Sequence, residues 1–571
     1  MDPERAMIHS LPLPARLQRR WLPRRLRRLA AWVVLCGLAS GCSSLPTQQP
    51  RTASHAFQAT EHTALGRLAQ SRRVVAGTRS DSGFRLLDSA DSAFTSRVAL
   101  AQAAQKSLDL QYYAIHADAS TEVLLQSVRD AARRGVRVRI LLDDFNTVGD
   151  DAQVLRLAFE PGIEMRLFNP MAGPRASLVT RILGSLHDLE RIQKRMHNKL
   201  FIADNAWGIA GGRNLGQAYF GAGEKSNFVD LDVLAAGRIV QDMSASFDRY
   251  WNDPLAYPVP DLLSPAELDR LHADTGEQPA ERAVGAEVAA PPPADHVTGM
   301  VLPGVTSAEV SFAQRQPMDL KGVPLLWASS LLIADQPGKI GPVDDEADAG
   351  ETVVDGLLNL MQQATHEVLM VSPYFVPGMP MMKVFSDMRA RGVRVRLLTN
   401  SLASNDAPAA HAGYRRYRED LLALGVEVHE MRSVPRAATG RHDRRVRPRL
   451  GSGVGGSEVG ASQSSLHAKA VIIDRRLTAI GSMNLDLRSQ RTNSEVALVI
   501  RSKALAAEAA LLIDGTIASS AYRVEQNASG GLHWRAPIGA AFPDTTSEPE
   551  APAMLRLLVN VLAPFSPDEM L

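Results

Sequence analysis

Cysteine is almost absent. The 571 residues hold two, Cys36 and Cys42, both within the first 42 positions. A chain with its only cysteines there has no disulfide framework and no cysteine metal site in its body. Aromatic residues make up 5%, too few for the rows of base-stacking platforms that single-strand binders use. The longest apolar run near the N-terminus, Leu29–Leu38, is only about ten residues, short of what a bilayer core of ~30 Å requires. Net charge is also small, +1 for the whole chain, whereas a nuclease that tracks a polyanion usually carries a basic surface. The remaining balance, 45% hydrophobic and 22% charged, is that of a soluble globular protein.

The first 42 residues read as a targeting segment. Arg16, Arg19, Arg20, Arg24, Arg25, Arg27 and Arg28 precede the apolar run, and Leu38-Ala39-Ser40-Gly41-Cys42 follows it. This last stretch is similar to a bacterial lipobox. The similarity implies that 1–42 is a lipoprotein signal, that Cys42 is lipidated and that 43–60 is a tether. Ser43 and Ser44 stand where an Asp would commonly retain a lipoprotein at the inner membrane. The expected location is therefore the outer membrane, facing the periplasm. Loss of residues 1–41, with eight Arg against Asp2 and Glu4, turns the formal charge from +1 to −5.

What the chain does carry is one pattern twice, 270 positions apart. The first copy is His197-Asn198-Lys199, then Asp204, then Gly211-Gly212-Arg213-Asn214. The second is His467-Ala468-Lys469, then Asp474, then Gly481-Ser482-Met483-Asn484. In each, an apolar run (Leu200–Ala203; Ala470–Ile473) reads as a buried strand closed by a turn at the Asp. His and Lys, two apart, share a strand face. A second short strand (Ala206–Ala210; Leu477–Ile480) leads into the glycine position, where the missing Cβ is expected to let backbone approach a ligand. Phosphoryl transfer needs a nucleophile, a proton donor for the leaving oxygen, and positive charge on the nonbridging oxygens. Two histidines supply the first two. Lys199, Lys469, Asn214 and Asn484 supply the third as phosphate-binding groups, so this chemistry asks for no metal and no cofactor.

On these residues the chain resembles the phospholipase D, or HKD, superfamily, over roughly positions 60 to 571. The resemblance implies a fold of α/β class: two tandem α-β-α sandwich domains, a pseudo-twofold repeat, sharing one active site. It implies a phosphohistidine intermediate, with His197 as nucleophile and His467 as acid and base. His197, Lys199, Asp204, His467, Lys469 and Asp474 are then the catalytic motif residues, Asp204 and Asp474 serving more as supports at strand-end turns than as chemistry. A nucleophilic histidine needs its second ring nitrogen oriented by a carboxylate, and family members keep an acid about thirty positions after each His. Asp230 is expected to orient His197, with Asp232 as competitor, and Glu495 to orient His467.

The repeat extends outward. Arg134-Gly135-Val136-Arg137-Val138-Arg139 echoes Arg391-Gly392-Val393-Arg394-Val395-Arg396, and Gly162-Ile163-Glu164 echoes Gly425-Val426-Glu427. Each half reads strand, helix, strand, helix, strand, then motif strands. The alternating arginines are expected to be exposed strand-face charge. The expected domains are 61–280 and 301–571, joined by a Pro-rich linker at 281–300. Residues 436–465, rich in Gly, Ser and Arg, read as a flexible insertion beside the site mouth. Leu178–Met196 reads as a mixed apolar and basic helix able to face lipid.

Within the superfamily, two motifs in one chain exclude the small single-motif dimeric nucleases, and a secretion signal disfavours DNA repair. The run Ala334-Asp335-Gln336-Pro337-Gly338-Lys339 and the end Leu562-Ala563-Pro564-Phe565 to Leu571 resemble the bacterial C-type cardiolipin synthase branch. The expected function is phosphatidyl transfer between phospholipids, phosphatidylethanolamine and phosphatidylglycerol among them, at a membrane reached through Cys42. Hydrolytic phospholipase D and a periplasmic nuclease or phosphodiesterase are the alternatives. Nucleic acid is disfavoured as partner, and the sequence leaves room for an accessory protein without identifying one.

Overall fold

Parallel strands flanked by antiparallel motif hairpins occur twice, and a single strand joins the two sets. The computed structural model describes residues 45, 51, 53–173, 181–182, 188–221, 227–264, 267, 269, 307–341, 351–433 and 464–562. All belong to one unit, Leu45–Leu571. The segment 1–44 with Cys42, the linker 281–300, positions 436–463 of the insertion and the end 563–571 lie outside the described residues.

The first half contributes β1 (Ser82–Leu87), β2 (Ser107–Tyr112), β3 (Arg137–Asp143), β4 (Ile163–Phe168), β5 (Leu200–Ala203), β6 (Trp207–Gly211), β7 (Asn227–Val229), β8 (Asp232–Gly237) and β9 (Ala256–Pro258). β10 (Leu326–Ala334) follows. The second half adds β11 (Glu367–Val371), β12 (Phe375–Val376), β13 (Arg394–Asn400), β14 (Glu427–Met431), β15 (Ser464–Leu466), β16 (Ala470–Ile473), β17 (Leu477–Gly481), β18 (Leu485–Asp486), β19 (Val496–Arg501), β20 (Ala521–Gln526) and β21 (Leu532–Arg535). Pairing runs β9-β4-β3-β2-β5-β6-β8-β1 in one half and β19-β17-β16-β11-β13-β14-β20-β21 in the other. In both, the three central strands are parallel (β2-β3-β4; β11-β13-β14), as the helix crossovers require. β10 pairs antiparallel with β1 through Leu326–Ala328 and with β19 through Ser329–Ala334. It thereby fuses the halves into one 17-stranded sheet, which the motif spacing alone does not disclose.

The crossover helices form where the sequence marks them. Asp118 caps Ala119–Arg133 by accepting from the N–H groups of Ser120 and Thr121, and Gly135 follows at φ 88°. Leu124, Leu125, Val128 and Ala131 of that helix are buried against β2 and β3. The second connection of the first half, Gly149–Phe159, is 3-10 rather than α, whereas its counterpart Pro408–Ala423 is α-helical. Arg238–Trp251 and Lys503–Ser520, one helix from each half, pack into the shared apolar layer with strands of both halves. Among the described residues no helix is long and apolar enough to cross a membrane.

Three expectations change. Arg137 and Arg394 are exposed, but Arg139 and Arg396 are buried. Arg139 lies over the rings of Phe247 and Trp251 and pairs with Asp109 and Asp248, because the helix Arg238–Trp251 covers that face. Arg396 pairs with Glu367 and with Asp514 of the corresponding helix. Second, several described residues of the Leu178–Met196 segment turn inward. Arg181 pairs with Asp144, Arg195 with Asp143, and Met196 is fully buried. Third, the tether ends before 60: Ser54 and Ala56 donate to Asn252 and Asp248, and Arg139 donates to Ser54 O.

The motif acids Asp204 and Asp474 are turn supports. Both begin turns with two residues of positive φ, Asp204-Asn205 and Asp474-Arg475. Asp204 accepts from the N–H groups of Gln105, Lys106 and Ser107; Asp474 accepts from those of Thr365, His366 and Glu367. Each carboxylate thus pins the start of the central parallel strand to the motif hairpin. Asp204→Ala leaves three N–H groups without that acceptor, at a cost of about 3 kcal/mol. Calorimetry should show a lower unfolding midpoint, while the enzyme that remains folded keeps its turnover. Lost turnover at an unchanged midpoint would make Asp204 a chemical group instead.

Candidate active site

Each motif histidine is held by the carboxylate of the opposite half. His197 Nδ1 donates to Glu495 Oε1 and Oε2 at 3.0 and 2.9 Å, and His467 Nδ1 donates to Asp230 Oδ2 at 2.6 Å. The expected acids are therefore the right residues with exchanged partners: Asp230 serves His467 and Glu495 serves His197. The backbone gives the reason. Residues just before each His run parallel to the acid segment of the other half, with Met196 bridging Ser494 and β15 pairing with β7. His197 N donates to Ser494 O, and His467 N to Val229 O. Asp232 takes no part in histidine orientation; it pairs with Arg97 and Arg213.

The approach to each His is fixed by one further polar side chain at corresponding positions. Asp143 Oδ2 accepts from Met196 N, and Asn400 Oδ1 accepts from Leu466 N. Both lie at the ends of central parallel strands, β3 and β13. The lysines fold back so that Lys199 Nζ donates to His197 O and Lys469 Nζ to His467 O. Asn214 Nδ2 donates to Tyr219 Oη, and the Oδ1 atoms of Asn214 and Asn484 are buried without a partner. A carboxamide flip at Asn214 would let Tyr219 donate to Oδ1 and turn Nδ2 toward a phosphate.

The glycine position serves packing. A Cβ on Gly211 would strike Asp232, and one on Gly481 would strike Val496 and Ala497 of the adjacent strand. At Gly212 a Cβ would lie 2.5 Å from Asp230 Oδ1, so the serine of the second copy has no room in the first. The expected close approach is thus strand to strand, and strand to orienting acid, rather than backbone to ligand. In the second half the longer Glu495 leaves space for Ser482, whose hydroxyl donates to Glu495.

Sequence reading missed several contributors. Tyr113 stands edge-on to His197 with ring centroids 5.1 Å apart; Tyr219 and Phe228 stand 5.2 and 5.0 Å from His467. Ser489 Oγ also donates to Glu495. The run 334–339 lies behind the same acid: Asp335 accepts from Glu495 N and Val353 N and pairs with Lys339, which donates to Ser489 O. Only contact across the fold reveals these roles, apart from Ser482, which occupies a motif position.

The site is buried and dense with charge. His197 is 7% exposed and His467, Lys199 and Lys469 are at most 2%. Burial, with Lys199 and Lys469 behind it, pushes the His197 pKa well down. Burial and Lys469 carry His467 down to about 3. Lys199 falls to about 7, mainly through burial. Glu495 is raised by burial to about 7, whereas at Asp230 His467 and nearby cations overcome burial and hold it at about 2. Without substrate, both imidazoles are neutral at pH 7 and the two lysines repel one another. An anion between them relieves that repulsion and favours protonation of lysines and histidines alike.

Two histidine–carboxylate pairs exchanged between like halves, with two lysines and two asparagines, define a site of the phospholipase D class. The profile described as "Cardiolipin synthase, PLD-like domain" matches residues 98–251 and 357–514, and the chain belongs to this family. It is 37% identical to cardiolipin synthase C of Escherichia coli (strain K12) over 436 residues, 76% of this chain and 84% of that one. An uncharacterized protein of Helicobacter pylori (strain ATCC 700392 / 26695) is 32% identical over 414 residues, 72% and 75% of the two chains. Among solved structures, phosphatidylserine synthase of Haemophilus influenzae Rd KW20 has the same fold, at a TM-score of 0.52 and 14% identity, over 88% of this chain and 99% of that one.

Oxyanion binding should take up protons. Burial lowers the Lys199 pKa to about 7, and a bound anion raises it. Calorimetric titration with inorganic phosphate or tungstate, in buffers of different ionisation enthalpy, should show net uptake at pH 7.5 and affinity that weakens as pH rises. Binding without uptake would sink this electrostatic picture.

Proposed function

We propose that the protein transfers a phosphatidyl group from one phospholipid to the hydroxyl of another, with phosphatidylglycerol as acceptor and cardiolipin as product. The observation that carries this reading is the crossed pair of histidines around one buried cationic site. Nδ1 of each ring is committed to a carboxylate, leaving Nε2 for the substrate. His197 Nε2 attacks phosphorus as the bond to the leaving headgroup oxygen breaks, and His467 gives that oxygen its proton. His467 then removes the proton of the acceptor hydroxyl, whose oxygen displaces His197. Lys199, Lys469, Asn214 and Asn484 hold the nonbridging oxygens as charge builds. Burial of the cluster and the aromatic neighbours Tyr113, Tyr219 and Phe228 support transfer over hydrolysis, because they limit the water that competes for the phosphohistidine.

The targeting segment supports a lipoprotein held through Cys42 in the outer membrane and facing the periplasm. A tethered enzyme works beside a very high local concentration of acceptor headgroups. The arginine-rich 436–465 segment joins β15, immediately before His467.

Vesicles of phosphatidylethanolamine and phosphatidylglycerol, followed by mass spectrometry, should yield cardiolipin with phosphatidic acid as the minor product. His197→Ala and His467→Ala should each lower turnover by about three orders of magnitude or more, since nucleophile and acid act as a unit. Acid-labile phosphate should collect on His197 in the His467 variant. Phosphatidic acid dominating with excess acceptor favours the hydrolase, and label on the other histidine reverses the roles.

Cys42→Ala should leave an unprocessed precursor that no longer partitions into detergent. A wild-type mature chain that still carried residues before Cys42 would instead show an uncleaved anchor.

A further inference from the structure

Arg488 is a buried cation with no carboxylate in ion-pair contact among the described residues; the buried Asp486 and Asp143 act on it only at longer range. The arginine is 7% exposed and lies on the short helix Leu487–Arg491. Its Nη2 donates to Gln193 O at 2.8 Å, while its buried Nε has no acceptor. Among the described residues no carboxylate comes within 4.0 Å of the guanidinium. A buried guanidinium N–H left without an acceptor is costly. The guanidinium lies on the His197 side of the site: it bonds to Gln193 O, four positions before His197, and the neighbouring Ser489 donates to Glu495, the acid that holds His197. The motif already supplies two lysines and two carboxamides for one phosphodiester, so Arg488 is an additional cation with an unused N–H. A guanidinium presents its donors as a rigid fork matched to phosphate oxygens.

We infer that Arg488 binds a phosphate oxyanion of the lipid substrates beside His197. Two sources share this chemistry. One is the reacting phosphodiester, for which Arg488 would be a third cation of the clamp. The other is the phosphate of the second lipid, which stays intact while its hydroxyl reacts. The second source rests on the transferase reading above; the anion contact does not.

The experiment compares wild type, Arg488→Gln and Arg488→Lys as full chains, with unfolding midpoints as the check on folding. The first arm measures inhibition of bis(p-nitrophenyl) phosphate cleavage by inorganic phosphate. Arg488→Gln should weaken inhibition about tenfold, the loss expected for one hydrogen bond to a charged group, and Arg488→Lys should recover much of it. The second arm compares that cleavage with cardiolipin formation in mixed vesicles. Equal losses in both assign Arg488 to the reacting phosphate; a loss confined to cardiolipin, with phosphatidic acid rising, assigns it to the second lipid. If wild type makes no cardiolipin, the transferase reading fails and the inhibition arm still decides on Arg488. Unchanged inhibition in Arg488→Gln overturns the inference. So does a loss that Arg488→Lys does not relieve, which would reduce Arg488 to its bond with Gln193.

Discussion

The structure depends on a hydrogen bond that each half makes for the other. Asp230 orients His467 and Glu495 orients His197, so neither motif forms an oriented histidine alone. This constraint fixes much of the surrounding architecture. The segments before both histidines must run beside the opposite acid segment, and they do so through β15 against β7 and through Met196 against Ser494. The halves must also meet over a broad apolar layer. β10 and the helices Arg238–Trp251 and Lys503–Ser520 provide it, bringing strands of both halves into one core.

Holding two lysines, two histidines and two acids in a buried space is electrostatically expensive. The protein meets part of the cost with local donors and acceptors. The lysines bond to the carbonyls of their own motif histidines, and Glu495 is satisfied by Ser482, Ser489 and His197. What remains is a cationic excess felt by both imidazoles and by Lys199, which an arriving phosphodiester neutralises. Binding energy from the anion is thereby coupled to the protonation that the leaving oxygen requires.

Much of this was legible in the chain, for reasons that differ between elements. The motif hairpins and the turn-support roles of Asp204 and Asp474 follow from local patterns of apolar runs and turns, and the structure has both. The acids Asp230 and Glu495 came from the spacing that the family resemblance implies. Their exchange did not, because spacing within a half carries no information about pairing between halves. The buried Arg139 and Arg396 misled for a related reason. An alternating Arg-Val strand reads as half-exposed until a helix more than a hundred positions later lies across it with Asp248 or Asp514. Nor does the chain alone say why Gly212 stands where the second copy has Ser482: a Cβ there would strike Asp230.

That last difference makes the two pairs unequal. Asp230 meets His467 at 2.6 Å and, among the described residues, accepts besides only the N–H of its neighbour Leu231, and His467 and nearby cations hold its pKa low. Glu495 divides its charge among an imidazole and two hydroxyls, and burial raises it toward neutrality. A proton donor needs a full carboxylate behind it, so that the imidazolium can form once the phosphate arrives. A nucleophile must stay neutral before attack, and a weaker anion behind it keeps it so. The glycine–aspartate pair in one half and the serine–glutamate pair in the other support the roles proposed above, acid at His467 and nucleophile at His197. This departure from repetition lies beside the acids that orient the two histidines.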